Sequence, residues 1–206
     1  QIRNAETDSI VGTVIAVSIE GQIVTCAHVA KAAGIDPRNV NGDEVGIYFP
    51  QARGGEKKKR HAKLAGSFAL HDDDMVLLQM DSAPPLAPEQ IAVLGTVEAS
   101  ELNPFLSYGY SPIGNYPAAR ANGKILGSVE PPSDRNLQVD PIQLESRQIA
   151  SGMSGAAVLD VDRNLVVGLV AERYFPQDAV QDDISYSADS KILTFSPFDF
   201  KLDKKS

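Results

Sequence analysis

The stretch Gly152-Met153-Ser154-Gly155-Ala156, running into the apolar segment Ala157-Val158-Leu159, decides how this chain is read. A serine in a turn of small residues, just ahead of an apolar strand, has its hydroxyl presented at a strand end, the way a hydrolase exposes a nucleophile. A hydroxyl is a poor nucleophile at neutral pH. It needs an imidazole to take its proton and a carboxylate to hold that imidazole in the right tautomer. Both stand upstream: His28 within Thr25-Cys26-Ala27-His28-Val29, and Asp74 at the head of Met75-Val76-Leu77-Leu78. Taken singly, each has a bland reading. A histidine among apolar residues is ordinarily structural, Asp72-Asp73-Asp74 is ordinarily a solvated turn, and Gly-Met-Ser-Gly is ordinarily a hairpin. The three in the order His, Asp, Ser carry the weight.

Working outward, the chain reads as many short strands. Ser9 to Ile19 and Gln22 to Cys26 form a hairpin about Glu20-Gly21, and Ala27 to Ala33 a short helix stopped by Gly34, with Pro37 beyond. Val45 to Phe49, Ala62 to Leu70 and Met75 to Met80 follow as strands, and the prolines between Ala83 and Pro88 make a connector. The second half offers Phe105 to Ser111, Gly123 to Val129, Leu137 to Glu145, Ala156 to Val161, Leu165 to Ala171, Ile184 to Ser187 and Lys191 to Phe195. Asn122-Gly123 and Asp162-Arg163-Asn164 have hairpin-turn chemistry. Periodicity alone leaves sandwich and barrel open.

The chain has 206 residues, 43% of them hydrophobic, enough to bury a full core. Cys26 is the one cysteine, so no internal disulfide staples the fold. No segment approaches the roughly 18 consecutive apolar residues of a membrane helix, and Gln1 to Ser9 is too polar for a signal peptide. Starting at Gln1, the chain reads as a processed or excised piece, and a bacterial cytoplasmic location is the expectation. A formal charge of -8 disfavours nucleic acid as a partner. The basic cluster Lys57-Lys58-Lys59-Arg60 with Lys63, preceded by Gly54-Gly55, reads as a solvated hairpin loop. No cofactor or metal is expected, since cysteines and histidines at zinc spacing and a glycine-rich phosphate loop are both missing from the sequence.

The residue order and its surroundings resemble the trypsin-like, chymotrypsin-fold serine protease superfamily, and more closely its bacterial members, including the peptidase domains of defence and conflict systems. Thr25-x-Ala27-His28 is similar to that family's Thr-Ala-Ala-His, with Cys26 in place of the first alanine. Asp74 and the four apolar residues after it, Ala156 to Asp160, and Gly168-Leu169-Val170 are similar to its other motifs. Ile142-Gln143-Leu144-Glu145 resembles the approach strand of HtrA-like proteases. The resemblance runs from about Ile10 to Leu193.

The resemblance implies an all-β fold: two six-stranded antiparallel barrels, residues 1–99 carrying His28 and Asp74 and residues 100–206 carrying Ser154, with the site in the cleft between them. It implies a serine endopeptidase that hydrolyses protein or peptide substrates through an acyl-enzyme. Ser154 attacks, His28 is the base, and Asp74 orients it, Asp73 being the fallback. The N–H groups of Gly152 and Ser154 form the oxyanion hole. Met153 replaces the aspartate that captures a newly cut N-terminus in zymogens, so activity is constitutive or set by another surface, such as a sensor or protease partner. Gln148 stands where trypsin-like enzymes carry the aspartate at the pocket bottom, and Ala171, Glu172 and Arg173 form the pocket wall. Asp182 or Asp183 is placed to restore a basic preference. The rival reading is a protease-like fold that binds a peptide or partner protein without turnover, and an esterase is a third.

Overall fold

Strand formation follows from a two-residue alternation. In Pro104–Gly109, residues Phe105, Ser107 and Gly109 are buried while Pro104, Leu106 and Tyr108 face out, as a pleated strand with one face on a core requires. The computed structural model describes residues 1–36, 44–50, 59–67, 74–81, 86–110, 118–130, 141–150, 152–171 and 191–197, with side chains described for all but 66–67 and 191–197. These residues are nearly all strand, with one short helix.

The first unit contains β1 (Ile2–Arg3), β2 (Ile10–Gly12), β3 (Ile15–Ala16), β4 (Gln22–Cys26), β5 (Val45–Tyr48), β6 (Lys59–Ser67) and β7 (Met75–Met80). They pair in the order β2-β1-β5-β6-β7-β4-β3. Seven strands appear where six are expected, and the reason is local. β2 and β3 belong to one extended stretch broken at Thr13-Val14, where the Thr13 N–H bonds the Ser154 carbonyl at 3.0 Å instead of a neighbouring strand. One half pairs with β1 and the other with β4, so a single stretch of chain spans both edges of the curled sheet. Between β4 and β5 lies α1 (Ala27–Ala33), ended by Gly34 in the left-handed region at φ 109°, the conformation glycine adopts without a Cβ penalty.

The second unit closes on itself. β8 (Pro104–Gly109), β9 (Ala119–Ser128), β10 (Ile142–Ser146), β11 (Ala157–Asp160), β12 (Leu165–Val170) and β13 (Lys191–Pro197) form a barrel in the ring order β10-β13-β12-β11-β8-β9. Neighbouring strands are antiparallel in both units. This is the two-unit chymotrypsin-like architecture.

Two expectations are corrected. Asn122-Gly123 is not a turn but the middle of β9, where Gly123 pairs with Phe105; a Cβ there would lie 1.8 Å from the Glu145 carbonyl oxygen. Close approach of backbones, rather than a turn, demands the glycine. Lys59 and Arg60 are not loop but the start of β6, and Arg60 is buried with its guanidinium on the Asp81 carboxylate and carbonyl. Lys57 and Lys58 lie outside the described residues, as does Ile184 to Ser187. The hairpin turn at 162–164 forms, with Asn164 at φ 53°.

The cores meet at β12. Val166 and Leu169 belong to the first unit's apolar cluster, which runs through Ile23, Val24, Val76 and Leu78, whereas Val167 and Val170 belong to the barrel's, with Phe105, Ile125, Leu144 and Met153. Buried on both sides, β12 is the shared wall that brings the two halves of the site together.

Candidate active site

His28 and Asp74 are positioned by the β4–β7 pair. The register sets Cys26 opposite Met75, so the chain leaves β4 into α1 beside the point where Asp74 enters β7. Asp74 then takes the open N–H groups of the first helical turn: its carbonyl accepts from Ala27 N at 3.0 Å and its Oδ1 from His28 N at 2.9 Å. Its Oδ2 lies 2.6 Å from His28 Nδ1. The histidine is thereby held by both backbone and ring, with its side chain half exposed and the aspartate largely covered. Asp74 adopts φ 48° to do this, a left-handed conformation that aspartate visits more readily than most residues.

Ser154 rides on a turn fixed at both ends. Gly152 and Gly155 have φ of 88° and 82°, and a Cβ at Gly155 would lie 2.1 Å from the Thr13 carbonyl oxygen. Met153 is fully buried between them. Its N–H donates to Ala150 O at 3.2 Å while its Sδ accepts from Ala150 N at 3.5 Å, so a thioether anchors the loop from the barrel core. The Gly155 N–H donates to Val170 O at 2.8 Å and the Ser154 carbonyl accepts from Thr13. An ideal Cβ on Gly12 would sit 2.6 Å from Val29 Cγ1 and 3.0 Å from Ser154 O. The residue after His28 and the Ser154 main chain are therefore no further apart than those two distances combined.

Among the described residues, neither the Ser154 hydroxyl nor the N–H groups of Gly152 and Ser154 make a hydrogen bond. The arrangement thus joins His28 to Asp74 directly and sets Ser154 beside them through the backbone.

Cys26, read from sequence as a buried small hydrophobe, is buried but also polar in its contacts: Sγ donates to Val170 O at 3.3 Å. Burial first, and then the Asp74 charge, raise this thiol well above its ordinary range, so it stays protonated. One sulfur, nitrogen and oxygen atom of Cys26, His28 and Asp74 lie within 4.8 Å of one another. They are the metal-ligating atoms grouped this closely among the described residues, and the imidazole and carboxylate are already spent on each other.

For the specificity residues, the structure places Gln148 on the surface with its Oε1 accepting from Asn122 N at 3.0 Å, tied to β9. Ala171 follows β12 and packs against the first core. Asp73, Glu172, Arg173, Asp182 and Asp183 lie outside the described residues, as does His71; His61 is exposed on β6. No described helix is long and apolar enough to cross a membrane.

A family model described as the trypsin-like peptidase domain matches residues 12–169. The chain belongs to that family. Solved structures agree on the fold of this peptidase domain. The HtrA-type protease AlgW with a tripeptide aligns at a TM-score of 0.65 and 22% identity, covering 95% of this chain and 55% of that one. AlgW with a decapeptide aligns at 0.63 and 22%, covering 91% and 48%. Deg5 aligns at 0.57 and 20%, covering 77% and 72%. The domain thus spans about half the length of the AlgW chains it resembles. No curated protein sequence matches it.

Proposed function

We propose that this peptidase domain is a serine endopeptidase that hydrolyses protein or peptide substrates through an acyl-enzyme on Ser154. The 2.6 Å His28–Asp74 bond carries the reading: it fixes the ring by Nδ1, so that proton transfer falls to Nε2. Ser154 Oγ attacks the scissile carbonyl as its proton passes to His28. The tetrahedral oxyanion is met by the N–H groups of Gly152 and Ser154, preset by the positive φ at Gly152. His28 returns the proton to the leaving amine, and water repeats the sequence on the ester. The Asp74 carboxylate stabilises the imidazolium.

AlgW is solved with a tripeptide and a decapeptide, which supports a peptide or protein as the class of substrate here. The residues proposed to contact the bound side chain are those the sequence resemblance implies, Ala171, Glu172, Arg173 and Asp183. Gln148 belongs to the same set. A cytoplasmic location, a sensor or protease partner and a role in bacterial defence are implications of the sequence resemblance, and no step of the mechanism uses them.

The rival reading, a binding module without turnover, draws on the Ser154 hydroxyl having no hydrogen bond among the described residues. Against it stands the 2.6 Å bond that joins the His28 ring directly to Asp74. A fluorophosphonate probe separates the two: labelling is expected on Ser154 and absent in Ser154→Ala, whose peptidase activity falls on the order of a million-fold. Peptide cleavage undiminished in that variant refutes the assignment.

A further inference from the structure

The break between β2 and β3 leaves Thr13 free to bond outside the sheet, and its three polar groups go to three different elements. The N–H donates to Ser154 O at 3.0 Å. The carbonyl accepts from Thr25 Oγ1 at 2.6 Å, on β4 three residues before His28. The hydroxyl Oγ1 accepts from Tyr110 N at 2.8 Å, immediately past the end of β8. Thr13 and Thr25 are both buried. The neighbours of Ser154 pack on the same frame. An ideal Cβ on Gly155 would lie 2.1 Å from Thr13 O and 2.6 Å from Thr25 Oγ1, and one on Gly109 would lie 3.1 Å from Met153 Cα. A ring is thereby closed: Thr13 to Ser154 through the main chain, Met153 to Gly109 by packing, and Tyr110 back to Thr13 through the hydroxyl.

We propose that Thr13 is a positioning residue: its hydroxyl locks the end of β8 onto the segment whose N–H holds the Ser154 carbonyl, and so fixes the nucleophile turn of the second unit against the strand that leads to His28 in the first. The side chain is the part that closes the ring, since the two backbone bonds alone tie Thr13 only to Ser154 and Thr25. A site group held on rigid elements from both sides keeps its place, and a displacement of about 1 Å is enough to cost about a hundred-fold in rate. This inference rests on the peptidase reading for its kinetic arm only.

The test compares wild type with Thr13→Val, which keeps the shape and both backbone bonds but removes the acceptor, and with Thr13→Ser, which keeps the hydroxyl. Amide hydrogen exchange is followed by NMR on ¹⁵N-labelled protein. In Thr13→Val the protection factor at residue 13, whose N–H bonds Ser154 O, falls at least about five-fold, the worth of one hydrogen bond, while the β4–β7 ladder keeps its protection; Thr13→Ser restores it. In parallel, the second-order rate at which the fluorophosphonate probe labels Ser154 falls at least about five-fold in Thr13→Val and recovers in Thr13→Ser. Thr13→Ala, smaller and also without the hydroxyl, serves if the valine variant does not fold. Three outcomes overturn the proposal: faster exchange at Tyr110 alone, with residue 13 as protected as before; an equal loss of protection at residue 13 and in the β4–β7 ladder, which is lost stability and not lost position; or a labelling rate that falls less in the donor-acceptor-free variant or fails to recover in Thr13→Ser. Exchange needs no turnover: a wild type that neither cleaves nor labels sinks the peptidase reading and leaves exchange to decide the role of Thr13.

Discussion

Asp74 shows how much a single residue is asked to do. It accepts from Ala27 N, His28 N and His28 Nδ1, and its backbone bends into the left-handed region to do so. Asparagine has the same size and tolerates that backbone, but its NH₂ cannot accept from Nδ1–H, so the imidazole is left in the wrong tautomer. Asp74→Asn is therefore expected to lower kcat about 10⁴-fold, as in the Ser-His-Asp template, while thermal unfolding changes little. Retention of more than about a tenth of the wild-type rate moves the assignment to Asp73. At this scale the meeting of His28 with Asp74 was legible, because chemistry and neighbours agree there. The surroundings of Cys26 were not legible, because nothing local reveals that the Asp74 carboxylate and the Val170 carbonyl, distant in sequence, converge on the sulfur. Arg60 was obscured for a related reason: a run of four cations suggests solvent, and the partner that permits burial, Asp81, belongs to another segment.

Elements were legible wherever a continuous apolar run or a helix stop signal marked them, as in β7, β12 and α1. Gly123 is the instructive failure. Asn-Gly is a strong hairpin signal, yet β9 continues through it because β10 crosses so closely that any side chain would strike the Glu145 carbonyl. Gly123→Ala cannot relieve that contact by rotating a side chain, since the obstacle is backbone; β9 and β10 must separate. A loss of at least about 2 kcal/mol is expected from such overpacking, roughly 4–8 °C in Tm for a chain of this length. A melting temperature within about 1 °C of wild type shows that the two strands are not packed this closely.

Across the whole molecule, the two units are joined by a connector near Ala99 to Asn103. What secures it is a buried carboxylate. Asp160 at the end of β11 has no exposed surface, and its oxygens accept from Asn103 Nδ2 at 2.9 Å and from the N–H groups of Asp162 and Arg163. Arg163 completes the clasp by donating to Thr96 O and Ser100 Oγ. Burial alone raises the carboxyl pKa, but hydrogen bonds from Ser100, Asn103 and the two backbone N–H groups outweigh it and hold the group below its ordinary 3.8. A carboxyl depressed in the folded state binds its proton more weakly there than in the unfolded chain. Its stabilisation is complete above about pH 4 and disappears as pH falls through the folded value. Asp160→Asn keeps the shape and loses the charge, so it destabilises by about 1.5–3 kcal/mol at neutral pH, the worth of hydrogen bonds to a charged group. The difference from wild type begins to narrow below the unfolded value and closes as pH falls through the folded one, below which both carry a neutral side chain. Urea unfolding at pH 7 and near pH 3 measures that gap; a gap of constant size across the range means that the connector is held by packing and not by the Asp160 charge.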